Sequence, residues 1–247
     1  GIRDILIIST PDDTPRFQKL LGNGAAWGLR LAYAVQARPE GIAQALLIAR
    51  DHVGGDRSCL ILGDNVFYGH DLQALLQRAT ESRAGASIFA YAVSSPERYG
   101  VVDFDEHGRV RSIEEKPRAP RSRYAVTGLY FYDGRAADLA ASLKPSARGE
   151  LEITDLNRRY LEEGTLEVVT MGRGFAWLDM GTHEALLDAA RFIQTIEQRQ
   201  GLKIACPEEI AHRMGFISSE QLALLAEPLA KSEYGKYLQR ILSDPAR

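Results

Sequence analysis

Apolar residues along this chain fall into short unbroken runs that alternate with stretches of helical spacing. Residues 5–9, Ile5-Leu6-Ile7-Ile8-Ser9, form a continuous apolar run, the pattern of a strand buried on both faces with a neighbour on each side. Residues 29–35 alternate and predict the next strand, with a short helix before them through Phe17, Leu20 and Leu21. Ile42, Ala45, Leu46 and Ala49 fall at i, i+3, i+4 and i+7, one apolar face of a helix. Further strands are expected over residues 58–62, 86–93, 124–132, 166–171 and 175–178, with helices near 72–79 and 154–162. Residues 99–104 and 110–114 flank Asp105-Glu106-His107-Gly108, a hairpin signal. The β-α-β-α-β alternation over the first 93 residues predicts an α/β fold. Its sheet is expected to be mostly parallel and doubly wound, with right-handed crossovers, helices on both faces and the hairpin as an insertion.

Thr182 is placed to cap a long helix whose apolar face includes Leu186, Leu187, Ala190, Ile193 and Ile196. Beyond Gly201 the chain reads as a helical tail. Pro207-Glu208-Glu209 makes a good first turn, Gly215 a stop, and Ser218 with Gln221 a capping box for the next helix. The expected division is a core over residues 1–200 and a tail over residues 201–247, with no internal repeat.

Composition changes this picture little. A chain of 247 residues, 45% hydrophobic and 26% charged, can bury a sizeable core. A formal net charge of -3 argues against a sequence-independent nucleic-acid binder, so any phosphate must be met by local cations. Cys59 and Cys206 suggest neither a disulfide framework nor zinc spacing. No apolar run is long enough to cross a bilayer and no signal-peptide pattern is present, which points to a cytoplasmic protein without a membrane partner.

Candidate chemistry begins at Leu60-Ile61-Leu62-Gly63-Asp64-Asn65, where an apolar strand ends in a carboxylate. Ligands of open α/β sheets gather outside the carboxyl ends of strands. A second apolar run ends the same way at Trp177-Leu178-Asp179. Each acid alone reads as a turn or cap, but two such endings shift the balance toward a Mg²⁺ site, since that ion takes few protein oxygens and keeps waters and substrate phosphates. Gln36 and Gly41 bracket a loop in which a glutamine could read a nucleobase edge and a glycine could let a ring approach. Glu115 and Lys116, within Glu114-Glu115-Lys116-Pro117, offer an acceptor for sugar hydroxyls and a point charge for a phosphate. Arg148 stands in Ser146-Ala147-Arg148-Gly149-Glu150 as a phosphate grip or an ordinary surface arginine. His70 and His183 lack metal-ligand partners and read as structural. Two aspartates, a lysine and an arginine without a nucleophilic side chain suit phosphoryl-type transfer.

Six motifs then recur in one order: Leu62-Gly63-Asp64-Asn65, Glu97-Arg98-Tyr99-Gly100-Val101, Glu114-Glu115-Lys116-Pro117, Ala125-Val126-Thr127-Gly128-Leu129-Tyr130, the segment from Arg148 to Asp155, and Trp177-Leu178-Asp179. On these the chain resembles the bacterial glucose-1-phosphate thymidylyltransferases, and the likeness covers essentially its whole length. The resemblance implies a Rossmann-like, GT-A-like nucleotidyltransferase core with Mg²⁺ held by Asp64 and Asp179. It implies thymine near Gln36 and Gly41, and glucose among Tyr99, Gly100, Glu115, Val126 and Tyr130. Lys116 would take the sugar phosphate and Arg148 would lie in the phosphate region. The implied reaction joins dTTP and glucose 1-phosphate into dTDP-glucose, with in-line attack on the α-phosphorus and loss of pyrophosphate, as the first step toward dTDP-rhamnose. The implied assembly is a homotetramer whose tail serves assembly. Its feedback inhibitor, dTDP-rhamnose, would bind at a subunit interface among Gly69, His70, Glu209, Ile210 and Arg213.

One departure accompanies the likeness. The family opens with a strand, a Gly-Gly-x-Gly-Thr-Arg-Leu loop and a phosphate-gripping lysine, and the 247 residues join the pattern after them. The missing unit is on the order of 30 residues. These residues alone are therefore expected to fold loosely and to lack turnover. Two other readings accompany the leading one: a non-catalytic nucleotide-sugar binding or regulatory subunit, and a sister pyrophosphorylase for another nucleotide or sugar.

Overall fold

A computed structural model describes residues 1–243 and divides into two compact units, residues 38–189 and a second unit of residues 1–37 with the chain from 190 onward. In the second unit, β1 (Asp4–Ser9), α1 (Thr14–Leu21) and β2 (Arg30–Val35) come first. The two strands run parallel, in register from Asp4 opposite Arg30 to Ser9 opposite Val35. The expected strand with a neighbour on each side is not found: among the described residues β1 pairs with β2 alone, and none of its residues is fully buried.

The larger unit follows with α2 (Gln44–Ile48), α3 (Arg50–Val53), β3 (Ser58–Ile61), β4 (Asn65–Gly69), α4 (Leu72–Glu81), β5 (Ala86–Ala92), β6 (Gly100–Phe104), β7 (Val110–Glu115) and β8 (Tyr124–Tyr132). After these come α5 (Ala136–Ala141), α6 (Ile153–Glu162), β9 (Leu166–Met171) and β10 (Phe175–Asp179). The α/β class holds, but the sheet is mixed rather than mostly parallel. β5 and β9 are parallel, whereas β8 runs against β3, β5 and β6. β8 enters the sheet after the β6–β7 hairpin, with no α-helix between β5 and β8, and runs antiparallel to β5. α5 and α6 then carry the chain from β8 to β9, which lies parallel to β5 and so opposite in direction to β8.

β8 is the spine of this sheet. One edge pairs with β5 along its length, interrupted by a register shift opposite Phe89. The other edge is shared: Leu129–Tyr132 take β3, while Tyr124 and Ala125 take β6. Between these partners, residues 126–128 face a fork, and Gly128 reaches β3's extension only through its carbonyl, which accepts from the Leu62 N–H at 2.9 Å. β4 and β10 form a separate antiparallel ribbon. β4 is absent from the expected strands, because it follows directly on the strand-ending Asp64.

Helices cover both faces as expected. Leu46, Ala136, Ala140, Ile153 and Leu156 pack with Ile88, Val126 and Tyr132 on one side. Ala79, Leu75 and Leu76 of α4 pack with Phe89, Leu129 and Phe131 on the other. Tyr130, Tyr132 and Tyr160 stack in series with centroids 6.1 and 5.7 Å apart. Two hydroxyls of this stack are bonded: Tyr132 donates to Asn157 Oδ1 at 2.6 Å and Tyr160 to Asp133 Oδ1 at 2.8 Å.

α7 (His183–Gln200) leads back to the second unit, which ends in α8 (Pro207–Arg213), α9 (Ser219–Ala226) and α10 (Glu233–Ser243). Thr182 Oγ1 accepts the Ala185 N–H at 3.2 Å, the cap that the sequence predicts. Compact units divide at 37/38 and 189/190, not near residue 200, because the first 37 residues pack with the tail. Trp27 joins Cys206, Ile217, Leu222 and Leu238 in one core, and the Arg3 guanidinium lies over the Phe216 ring. Gly28, at φ +66°, allows this approach, since a Cβ there would stand 2.4 Å from the Phe216 carbonyl oxygen.

The capping box of α9 is present with both of its hydrogen bonds, Ser218 N–H to Gln221 Oε1 and Gln221 N–H to Ser218 Oγ. Replacing Ser218 by Ala should lower unfolding stability by about 1 kcal/mol, read from the urea transition. An unchanged midpoint would mean that the tail does not unfold with the rest of its unit.

Candidate active site

The fork beside β8 opens into a cleft of about 260 Å³ lined by Leu62, Asp64, Asn65, Tyr99, Gly100, Glu115, Lys116, Val126, Gly128, Tyr130, Arg148, Thr154, Trp177 and Asp179, among others. Residues far apart in sequence meet here because the ribbon crosses the end of β3. Asp179, last in β10, stands opposite Asn65, first in β4, and the Met180 N–H donates to the Asp64 carbonyl at 2.7 Å.

This pairing places both aspartates on the lining of one cleft. Their Oδ2 atoms each lie 3.9 Å from the point where a Cβ on Gly181 would stand. Their Oδ1 atoms are committed elsewhere. Asn65 Nδ2 donates to Asp64 Oδ1 at 2.8 Å, and the Tyr99 hydroxyl donates to Asp179 Oδ1 at 2.8 Å. Burial, followed by this bond to Asp179, pushes the Tyr99 phenol up to about 12, so its proton stays on the oxygen at neutral pH. Tyr99, expected against a sugar, lines the cleft with its hydroxyl engaged by the acid.

Asn65 Oδ1 accepts two further bonds, from Trp177 Nε1 at 2.6 Å and from the Gly128 N–H at 3.0 Å. Sequence reasoning assigned no role to Asn65 or Trp177. Nothing short of the fold joins two residues 112 positions apart.

Glu115 forms the opposite wall. Thr154 Oγ1 donates to its Oε2 at 2.5 Å, while Arg148 Nη2 lies 3.3 Å and Lys116 Nζ 3.9 Å from its Oε1. A Cβ on Gly100 would meet Thr154 Oγ1 at 2.9 Å, so glycine keeps this wall open. Lys116 has φ +43°, a rare conformation for a non-glycine residue and more so before proline. Its N–H donates to the Tyr99 carbonyl at 3.0 Å, which anchors the turn and aims the lysine at the cleft. Tyr130 is fully buried, and its phenol is raised first by burial and then by the Glu115 and Asp64 charges.

Arg148 is more restrained than a phosphate grip requires. Its Nη2 lies 2.8 and 2.9 Å from the two carboxylate oxygens of Glu152 and 3.3 Å from Glu150 Oε2, and the Glu152 bond leads the causes that raise its pKa. Gly41 has a local reason for being glycine: at φ +105°, a Cβ would stand 2.3 Å from the Leu151 carbonyl oxygen. Gln36 belongs to the second unit, where its N–H donates to the Ser9 carbonyl at 2.8 Å. The residues expected to bind an inhibitor divide likewise. Gly69 and His70 belong to the larger unit, whereas Glu209, Ile210 and Arg213 are on α8, with Arg213 paired to buried Glu209 at 2.7 Å.

The donor set fits a hard divalent cation. The two Oδ2 atoms flank Gly181 on the same cleft, and among the described residues they make no hydrogen bond, the ion-pair partner being Arg98 Nη2, 3.9 Å from Asp179 Oδ2. Among the described residues no group of three or more His, Cys, Asp or Glu side chains could hold a metal, so further ligands must be water or substrate. The lining carries Asp64, Glu115, Glu150, Glu152 and Asp179 against Arg98, Lys116 and Arg148. An anionic substrate therefore needs added positive charge to enter. Among the described residues no helix is long and apolar enough to cross a membrane.

Comparison with known proteins gives a consistent result. Residues 1–196 match the nucleotidyl transferase family model. The chain is 62% identical over 238 residues to the glucose-1-phosphate thymidylyltransferase of Xanthomonas campestris pv. campestris, a match covering 96% of this chain and 81% of that protein. It is 56% identical to the enzyme of that name from Neisseria meningitidis, covering 98% and 84%. Among solved structures, a Bacillus anthracis protein assigned as a glucose-1-phosphate thymidylyltransferase, in complex with sucrose, superposes with a TM-score of 0.70 at 42% identity, over 77% of this chain and 76% of that one. A UDP-glucose pyrophosphorylase superposes with a TM-score of 0.62 at 20% identity, over 78% and 81%, a likeness of fold alone.

Removing the Arg148 side chain leaves Glu115, Glu150 and buried Glu152 without their shared cation. Arg148→Ala should cost about 1–3 kcal/mol in urea unfolding at pH 7. A loss below a few tenths of a kcal/mol would show that these carboxylates are already satisfied by water.

Proposed function

The chain belongs to the nucleotidyl transferase family, and from that premise we propose that its cleft joins dTTP and glucose 1-phosphate into dTDP-glucose with release of pyrophosphate. The observation that carries this reading is the cleft itself. It sets a carboxylate with a fixed orientation, Glu115, on one wall and a pair of carboxylates, Asp64 and Asp179, on the other. Glu115 accepts hydrogen bonds from the sugar hydroxyls while Thr154 fixes its rotamer. Gly100 and Val126 supply a smooth floor, and Tyr130 packs beneath it. Lys116 meets the phosphate of the sugar as a point charge.

In this mechanism the sugar phosphate oxygen forms a bond to the α-phosphorus of dTTP as the bond to the bridging oxygen breaks, and pyrophosphate leaves with that electron pair. No protein nucleophile is required, so the chain's own residues act by positioning and by neutralising charge. Asp64 and Asp179 would hold Mg²⁺, which supplies charge stabilisation to the phosphoryl oxygens when bound. Neighbouring Arg98 and Lys116 add positive charge without adding ligands.

Calorimetric titration tests this reading, the nucleotide half by comparing two glucose nucleotides and the sugar half by a variant of Glu115. The protein should bind dTDP-glucose and discriminate against ADP-glucose. Glu115→Ala should weaken dTDP-glucose binding roughly 10–100-fold, the loss of one hydrogen bond to a charged group at about 1.5–3 kcal/mol. Equal affinity for the two nucleotide sugars, or an unchanged affinity in the variant, would contradict the assignment.

A further inference from the structure

Asp64 and Asp179 line one cleft, and each carboxylate is held there by its other oxygen. The orientation of the Asn65 amide is not arbitrary. Trp177 Nε1 and the Gly128 backbone nitrogen can only donate, so the Asn65 atom they meet, at 2.6 and 3.0 Å, must be the oxygen. The amide nitrogen is thereby turned to Asp64 Oδ1, at 2.8 Å. A free asparagine could rotate its amide and present either atom, but this one cannot without leaving two donors unpaired. Trp177, only 8% exposed, is itself fixed by its ring, which packs edge to face with Tyr99 at 5.1 Å and with Tyr91 at 6.1 Å. Tyr99 in turn donates to Asp179 Oδ1. One indole therefore braces both carboxylates, through the Asn65 amide on one side and through the Tyr99 ring on the other.

We propose that Trp177 and Asn65 are positioning residues for the cation site, acting in series to fix which Asp64 oxygen is left free for the cleft. Neither is a ligand in this scheme. The indole N–H fixes the amide, the amide fixes the carboxylate, and the carboxylate offers one defined oxygen. Partners beyond the ligands of metal sites commonly set ligand orientation, and their loss costs roughly 10–100-fold in metal affinity. The proposal rests on the reading of Asp64 and Asp179 as the site of a divalent cation, and the experiment separates the two.

Mn²⁺ alone is titrated into the protein, with free ion followed by electron paramagnetic resonance, for the wild type and for Asp64→Asn, Asn65→Ala, Trp177→Phe and the Asn65→Ala/Trp177→Phe double variant. Near-ultraviolet circular dichroism and the thermal midpoint of each variant establish that it is folded. The wild type is expected to bind one Mn²⁺ tightly relative to Asp64→Asn, in which binding is lost. Trp177→Phe keeps an aromatic ring against Tyr99 and removes only the N–H, yet it should weaken Mn²⁺ about tenfold or more. Asn65→Ala should do at least as much, and the double variant should be no weaker than Asn65→Ala, as two steps in series require. Wild-type affinity in Asp64→Asn, or no Mn²⁺ binding by the wild type, would overturn the cation site itself. Loss of binding in Asp64→Asn with wild-type affinity in folded Trp177→Phe would overturn the positioning role and leave the site standing. Additive losses in the double variant would overturn the series.

Discussion

A strand has two edges, and β8 divides one of them between two partners. β3 takes its C-terminal half and β6 the first two residues, so residues 126–128 are left facing a gap where a continuous ladder would have closed. The rest of the site follows from that constraint. β3 runs out at the gap and turns through Asp64, β6 and β7 bring Tyr99, Gly100, Glu115 and Lys116 to its other rim, and the β4–β10 ribbon crosses with Trp177 and Asp179. The opposite edge of β8 absorbs the distortion as a register shift between Ile88 and Ala90. Such bulges recur beside functional sites because they re-aim side chains without dissolving the sheet.

The electrostatics of the cleft are those of a site waiting for charge. Carboxylates outnumber cations along its lining, and the most strongly bonded cation, Arg148, is already shared among Glu115, Glu150 and Glu152. A cleft of this kind would repel a nucleoside triphosphate and a sugar phosphate on its own. Reading the two Oδ2 atoms as a cation site removes that difficulty, and it explains why the two Oδ1 atoms are spent on a tyrosine and an asparagine. The strained backbone of Lys116 belongs to the same logic. A lysine at φ +43° before proline costs backbone energy, and here that turn places Lys116 on the cleft lining.

Much of this was legible before the fold. β8 and β9 lie where their apolar runs begin and end, Thr182 and Ser218 cap the helices they precede, and the two strand-ending aspartates line one cleft. Local chemistry and side-chain period carry that information. Strand direction was not legible, because apolar runs do not say which strands become neighbours, and β8 runs against β3, β5 and β6. β4 was hidden behind the turn at Asp64. Asn65 and Trp177 were visible as members of motifs but silent as to role, since their partnership exists only once β4 and β10 are paired in register.

The account stands most directly on where a cation sits. Crystals of the protein soaked in Mn²⁺, with anomalous data collected at a wavelength where manganese scatters, should show one peak in the cleft. It should lie roughly 2.1–2.2 Å from Asp64 Oδ2 and from Asp179 Oδ2, with Asn65 and Tyr99 still on the Oδ1 atoms. A peak bound through either Oδ1, or one placed on Glu115, Glu150 and Glu152 in place of the aspartate pair, would contradict it.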